Sequence, residues 1–559
     1  MFSEAKTNVF HILLWFFCFV SCGLGSPEGD PPREVLLVIA CPPLPRHAQA
    51  QCFTLLENIQ VQYLHMEEAG TVPGDYVLNV HVLHELFNYW TLLDALPHLG
   101  GETRLLKAHT EWIIWCQYNT QVASLRGLLE QLRHQNPVEH AYYGHALYDT
   151  EATIVHHFAH YKNPQWFPYP MLRAGIIFTG VLLRRLVELV APNAHNSSRP
   201  SEFSIDASHE LARFLFDNLS QDPAHSRAMS GKIILKNAAY ICPIAGARKS
   251  PEIVTGATPP CAMHATSEEP SGWLPSTLGH RKEPCFHTTG SHIYFAIKTC
   301  AKFHKERIPI VERTWAGDAR YRRYYSDVAD VSIPTISTGI PNVQTGHCAK
   351  TMAILQLSLK DIGEQMDIRW LMLVDDDTLL SVPRLSELLS YHDHRELMYL
   401  GQRYGYRLHA PDGFNYHTGG AGILLSLPLV RLVVERCSCP SDNAPDDMIL
   451  GYCLQALGVA AVPVAGMHQA RPQDYARELL QLQPPVSFHK FWNMEPELTY
   501  RQWLRGGSSS AGNRSAPLGE AKPRLHHDDA AQLHLRRRPP LPGGGGVYPL
   551  DSHDKHLDL

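Results

Sequence analysis

The sequence predicts an α/β protein of two tandem Rossmann-like domains, the N-terminal one a degenerate copy of the other. Three observations lead there. Trp370-Leu371-Met372-Leu373-Val374 runs straight into Asp375-Asp376-Asp377-Thr378. Trp112-Ile113-Ile114-Trp115-Cys116-Gln117-Tyr118-Asn119-Thr120 lines up on that stretch without a gap. Further matches keep the same order: Val35–Cys41 with Ile293–Cys300, Tyr143-Gly144-His145 with Leu400-Gly401-Gln402, and Ala174-Gly175-Ile176 with Ala421-Gly422-Ile423. One such match carries little, but four in fixed order mark a duplication.

Size and composition admit this. A chain of 559 residues has room for two or more domains with cores of their own. Its 44% hydrophobic and 19% charged residues are an ordinary globular balance, and a net charge of −6 supplies no basic field for nucleic acid. The 33 His are scattered, which fits surface and packing roles for most of them.

The first element is an apolar run from Val9 to about Cys22, followed by Gly23, Gly25 and Ser26-Pro27-Glu28-Gly29-Asp30. It reads as a secretory signal peptide over residues 1–25. The run is short for a membrane span and contains His11, so a membrane association is expected only if the signal is uncleaved. Cleavage leaves eleven of the 13 Cys, an odd number, so an oxidising lumen would pair most and leave at least one free. Cys437 and Cys439 are too close to bond each other easily. Asn196-Ser-Ser, Asn218-Leu-Ser and Asn513-Arg-Ser are glycosylation acceptor patterns consistent with that compartment.

Residues 33–242 form the first copy. Gln117, Tyr118 and Asn119 stand where the second has three Asp, so it is expected to keep the fold without metal chemistry. Residues 243–284, rich in Pro, Gly, Ser, Thr and Ala and without periodicity, read as a linker. Residues 285–504 form the second copy. The tail over 505–559, with Gly543-Gly544-Gly545-Gly546, reads as disordered.

In the second copy the run Trp370–Val374 lacks polar alternation, which fits a buried parallel strand. Three carboxylates at its end repel one another unless a cation sits among them. Ligands of open α/β sheets bind at that end of the strands. Hard oxygen donors suit Mg²⁺ or Mn²⁺, ions that commonly hold a diphosphate. An acidic turn that merely solvates a strand end is the alternative. Upstream, Ile293–Ile297 is a strand opening into Lys298-Thr299-Cys300, where a nucleotide would lie. Arg307 on the following stretch faces either solvent or the ligand. Thr418-Gly419-Gly420-Ala421-Gly422 is either a tight turn or a close backbone approach to a ligand. Asp446 and Asp447 open a helix-like stretch. Acids there are usually caps, but beside the triad one of them could take a proton from an attacking hydroxyl. His468 follows a short strand and becomes a third metal ligand only if the triad is near.

Together these pieces resemble the fringe-type β-1,3-glycosyltransferases of the GT-A fold. The motifs carrying the resemblance are Ile297-Lys298-Thr299, Glu312-Arg313-Thr314-Trp315, Val374-Asp375-Asp376-Asp377-Thr378, Gly419-Gly420-Ala421-Gly422, Pro445-Asp446-Asp447-Met448 and Met467-His468-Gln469. Arg403-Tyr404-Gly405-Tyr406, His468-Gln469-Ala470-Arg471-Pro472 and Ser487-Phe488-His489-Lys490 resemble the branch of that family that extends O-linked fucose on thrombospondin type 1 repeats, as does the degenerate first copy.

The resemblance implies two GT-A-like domains, UDP-glucose as donor, Mn²⁺ (or Mg²⁺) as cofactor, and O-fucosylated thrombospondin repeat proteins as partners in the endoplasmic reticulum lumen. It assigns Asp377, Asp375 and His468 to the metal and Asp447 to the base. By the same resemblance Asp375 and Asp376 contact the nucleotide sugar, while Thr299, Arg307, Gly420 and Gly422 are expected to bind it from their places in the loops beside the strand ends. His556-Leu557-Asp558-Leu559 departs from the retrieval tetrapeptide expected of such an enzyme. Rival expectations are a fringe-like transferase using another UDP-sugar (N-acetylglucosamine or galactose) and a non-catalytic luminal binding or quality-control protein. A metal-dependent phosphohydrolase is disfavoured, because only one ion position is evident.

Overall fold

The computed structural model of the chain describes residues 33–505 apart from 42–45, 84–89, 101–104, 161, 191–200, 220–230, 245–260, 267–285 and 364–366. The expected signal peptide, the tail and the acceptor patterns at Asn196 and Asn513 lie outside the described residues. Among the described residues, no helix is long and apolar enough to cross a membrane.

Two mixed sheets dominate. The first has six strands in the order Lys236–Asn237, Tyr142–Gly144, Ile176–Thr179, Thr110–Gln117, Glu34–Ala40, Val77–Leu83. The second has seven, in the order Thr335–Ser337, Tyr321–Ser326, Ile293–Lys298, Trp370–Asp375, Ile423–Ser426, Tyr399–Gly401, Ala461–Pro463. Reversing the first list superimposes its order on the second, which carries one extra edge strand.

The register matches as well. Trp112 pairs with Thr179 and Trp115 with Ile176; Trp370 pairs with Ser426 and Leu373 with Ile423. Likewise Gly144 faces Ile176 as Gly401 faces Ile423. The ungapped match is thus reproduced in strand pairing over Trp112–Gln117 and Trp370–Asp375.

The central strands are apolar throughout because both faces are covered. Trp370, Met372 and Val374 enter one core cluster, and Leu371 and Leu373 another on the opposite face. In the first sheet Trp112, Ile114 and Cys116 are separated from Ile113 and Trp115 in the same way. The expectation of parallel pairing holds on one side only: Trp370–Asp375 runs parallel to Ile293–Lys298 but antiparallel to Ile423–Ser426.

One boundary is corrected. Part of the segment read as a linker belongs to the first core. Met263–Ala265 pairs with Thr120–Val122, Cys242 is bonded to Cys261, and Ala262 and Met263 are buried. Its polar composition hid a three-residue strand too short to show periodicity.

The two sheets are stitched together. Phe203–Ser204, from the first unit, pairs antiparallel with Gly405 and Tyr406 of the second, and Trp90 Nε1 donates to Asn415 Oδ1 at 2.9 Å. Disulfides Cys348–Cys439 and Cys437–Cys453 tie the helices Cys348–Ile362 and Asp446–Ala456 to the segment following Leu427–Arg436. Cys437 and Cys439 thus bond elsewhere, as expected. Cys116 and Cys300 are buried and free.

Candidate active site

The Trp370–Asp375 strand ends at the carboxylates, and a tight turn feeds them into Thr378–Leu380. That short strand pairs antiparallel with Ser487–His489, setting Thr378 opposite His489. The pairing brings His489 Nε2 to 3.1 Å from Asp377 Oδ1 and 3.8 Å from Asp375 Oδ2. The other ring nitrogen, Nδ1, lies 2.9 Å from the Gln469 carbonyl and donates to it, which leaves Nε2 aimed at the carboxylates. One donor atom from each of Asp375, Asp377 and His489 lies within 4.8 Å of the others. Two carboxylates and an imidazole suit a divalent ion such as Mn²⁺ or Mg²⁺, so this donor set fits the expected cofactor.

Among the described residues, the side chain that completes this candidate cluster is His489; the expected His468 lies outside it. The His468 ring stacks on Phe488 at 4.9 Å and lies 4.7 Å from Tyr475, behind the strand that carries His489. Burial pushes its pKa down to about 3, and its Nε2 has no hydrogen-bond partner among the described residues. Sequence reading singled out His468 because it follows a strand. Ser487-Phe488-His489-Lys490 stands among the family-like motifs, but what places His489 at the triad is the pairing of Thr378–Leu380 with a segment more than 100 residues away, which local pattern does not carry.

The three Asp have different environments. Asp376 is buried and turned inward: it accepts from Thr299 Oγ1 at 2.6 Å and from Arg307 Nη1 at 2.8 Å. Burial, reinforced by Asp377, raises its pKa against the opposing pull of Arg307. Burial also disfavours ionisation of Asp377, but His489 and Arg307 outweigh it and hold that carboxyl well below the usual range.

Arg307 turns into the triad, reaching Asp377 Oδ2 at 3.0 Å and lying over the Phe303 ring at 3.7 Å. Of its two expected orientations, the solvent-facing one is excluded. The hydroxyl of Thr299 is likewise held by Asp376.

The glycines of the 419–422 loop serve the protein itself. A Cβ on Gly420 would strike the His489 ring, and Gly422, at φ 93°, packs against Met372. Close approach is thus to protein side chains at both positions, whereas Gly419 borders open space.

The second carboxylate pair sits at the start of the helix Asp446–Ala456. Asp446 Oδ2 accepts from Lys298 Nζ at 2.8 Å and from Thr351 Oγ1 at 2.6 Å. Lys298 also reaches Asp375 Oδ1 at 3.2 Å, so one buried ammonium joins this helix to the triad. Asp447 forms no ion pair among the described residues. Its Oδ2 accepts from Gly419 N at 3.3 Å, its Oδ1 from Met448 N at 2.7 Å, and it is only half-buried. Burial and the adjacent Asp446 charge push its pKa up to about 7. One carboxylate is locked in an ion pair while its neighbour is poised to exchange a proton near neutrality, a separation of roles typical of acid–base sites.

In the first unit the strand pairing of Thr120 with Ala265 repeats that of Thr378 with His489. The donors Asp375, Asp377 and His489 therefore have Gln117, Asn119 and Ala265 as counterparts, so the histidine is missing along with the acids.

Residues 288–501 match the Fringe-like family model. The chain is 37% identical over 476 residues to the β-1,3-glucosyltransferase of Mus musculus, covering 84% of this chain and 86% of that protein. It is 38% identical over 445 residues to the β-1,3-glucosyltransferase of Homo sapiens, covering 79% and 80%. Similarity to the β-1,3-N-acetylglucosaminyltransferase lunatic fringe of Xenopus laevis is 27% over 199 residues, 31% of this chain and 52% of that protein. The chain belongs to the fringe-like β-1,3-glycosyltransferases. The similarity to these two β-1,3-glucosyltransferases is long enough to run through both units.

Proposed function

We propose that the chain is an inverting, metal-dependent β-1,3-glucosyltransferase that moves glucose from UDP-glucose to the 3-hydroxyl of O-linked fucose on thrombospondin type 1 repeats. The observation that carries this reading is the Asp446–Asp447 pair. Lys298 couples Asp446 to the triad, and the neighbouring Asp447 is left half-open with a pKa near 7.

Inversion at the sugar carbon needs a single carboxylate base and no covalent nucleophile. In this reading Asp447 accepts the proton of the acceptor hydroxyl as its oxygen bonds to the sugar carbon and the bond to the diphosphate breaks. The Gly419 amide orients the Asp447 carboxylate. Arg307 and Lys298 place positive charge beside the triad. Asp375, Asp377 and His489 would hold the divalent ion, which when bound neutralises the departing diphosphate. Thr299 and Asp376 hold the loop over which the nucleotide would lie.

The glucosyl donor is favoured by the relatives whose similarity spans both units. The shorter similarity to lunatic fringe supports N-acetylglucosamine as the second reading. Residues 33–266 would be a GT-A-like domain without transfer chemistry, and 286–504 the catalytic one. Four disulfides among the described residues fit an oxidising compartment such as the endoplasmic reticulum lumen, reached through the proposed signal peptide. The test is incubation with a fucosylated thrombospondin repeat, Mn²⁺ and a panel of UDP-sugars, read by intact mass. A hexose added from UDP-glucose alone is expected. Addition of N-acetylhexosamine alone would establish the second reading instead.

A further inference from the structure

The first unit, stripped of the donors that match the triad, holds a different group of ligating side chains. Asp149, His156 and His209 are all buried, and one donor atom from each lies within 4.8 Å of the others. His156 Nδ1 is 2.7 Å from Asp149 Oδ2, and its Nε2 is 3.0 Å from Asp206 Oδ2. Asp149 also accepts from the Tyr169 hydroxyl at 3.0 Å through its other oxygen. His209 is stacked on His156 at 3.9 Å and is only 5% exposed. It borders a cavity of about 270 Å³ lined also by Ser201, Asp206, Glu210 and Arg213.

We propose that Asp149, His156 and His209 bind one divalent ion of the zinc class, with Asp206 and Tyr169 orienting the ligands. The donor set, two imidazoles and one carboxylate, is that of a borderline-soft ion rather than of Mg²⁺ or Ca²⁺. A carboxylate on the far nitrogen of a ligating histidine is the usual outer-shell arrangement of zinc sites, and Asp206 occupies that place on His156. The cavity leaves room for water at a fourth position. On binding, the proton that His156 shares with Asp149 passes to solvent, and the two rings, stacked within 6° of parallel without the ion, turn so that one nitrogen of each faces it.

The position gives the ion a task in the whole molecule. Asp206 caps the helix Ala207–Asn218 and lies two residues beyond Phe203–Ser204, the strand that pairs with the second unit. On the other arm, Glu151 reaches Arg471 at 3.3 Å, and Val155 packs in one cluster with Tyr404, Tyr416 and Met448. Met448 is the residue after the proposed base. An ion joining residues 149–156 to the start of that helix fixes the edge of the first unit that supports the catalytic helix.

This inference does not rest on the proposed transfer reaction. It is tested on the full chain, stripped of metal and dialysed against Zn²⁺, with zinc per chain measured by plasma mass spectrometry. Asp377→Asn is expected to keep one equivalent, and adding His209→Gln or Asp149→Asn to remove it. Zn²⁺ should raise the melting temperature of Asp377→Asn and leave the double variants unmoved. X-ray absorption of zinc-loaded Asp377→Asn should count two imidazoles per ion, where Asp375 and His489 could supply one; this readout needs no variant of the first unit to fold. No zinc in Asp377→Asn, a full equivalent in the double variants, or one imidazole per ion would overturn the site. The cluster would then be a metal-free network in which His156 is held protonated between Asp149 and Asp206.

Discussion

Lys298 and Asp446 form an ion pair of 2.8 Å whose side chains are 12% and 14% exposed. It links the end of the first strand of the second sheet to the helix that carries Asp447. Burial disfavours the charge on Lys298, but Asp375 and Asp446 outweigh it and keep the ammonium ionised. Lys298→Met would take from Asp446 and Asp375 the ammonium they share, where the two carboxylates are only 14% and 24% exposed. Breaking one such pair costs roughly 3–5 kcal/mol. A lowered denaturation midpoint together with weakened nucleotide binding is expected in urea titrations of the full chain, and an unchanged midpoint would show that the pair is dispensable.

Asp447 and Asp446 should fail in different ways. Asp447→Asn keeps the shape and the contact with Gly419 but removes the proton acceptor, so transfer should fall about 10²- to 10⁴-fold with UDP binding retained. Asp446→Asn should lose mainly stability, since its carboxylate is committed to Lys298 and Thr351. Single-turnover transfer beside thermal melting of both variants separates the roles. Near wild-type transfer by Asp447→Asn would place the base elsewhere.

The pH dependence follows from the same pair. Transfer needs Asp447 ionised, so the single-turnover rate should rise with pH through about 7 and then level off. In Asp446→Asn the neighbouring negative charge is gone, and the rising limb should move to lower pH. For stability the sign is opposite to that of an ion-paired acid. The folded state holds the Asp447 proton more tightly than the unfolded chain. Its contribution is fully present below pH 3.8 and is lost as pH rises through about 7.

The two histidines of the second unit give a direct contrast. His489→Ala should weaken Mn²⁺ dependence by at least the roughly 10- to 100-fold loss seen even for orienting residues of metal sites. His468→Leu should leave metal affinity unchanged, because its ring stacks on Phe488 behind the donors. Mn²⁺ titrations of activity check both. Equal losses would mean that His468 reaches the ion after all.

How far the sequence was legible depended on distance along the chain. Trp370–Asp377 could be read because an apolar run and its acids are contiguous, and the repeat because both copies preserve strand register. Asp447 could be read as a candidate, but its distinction from Asp446 could not. That distinction comes from Lys298, 148 residues earlier, choosing one of two adjacent carboxylates. His489 and the Met263–Ala265 strand were hidden for a related reason, since three-residue strands carry no period and gain their meaning only from a partner. Gly420 and Gly422 could be recognised as required, while what they make room for, His489 and Met372, was visible only in three dimensions.

The first unit should be silent in transfer even when its strand ends are altered. Gln117 and Asn119 occupy the places of Asp375 and Asp377, and Ala265 that of His489, so no ligand set survives there. Gln117→Ala removes a half-buried amide at the strand end and should leave donor hydrolysis and Mn²⁺ affinity within about twofold of wild type, as expected of a surface change away from any site. Asn119 is buried, so Asn119→Ala should cost stability, about 1–3 kcal/mol for a buried polar group removed from its surroundings, without a change in the chemical step of folded protein. Donor hydrolysis measured per folded molecule, alongside melting of each variant, decides the matter. A loss on the scale of Asp377→Asn in either folded variant would make the first unit part of the catalytic machinery.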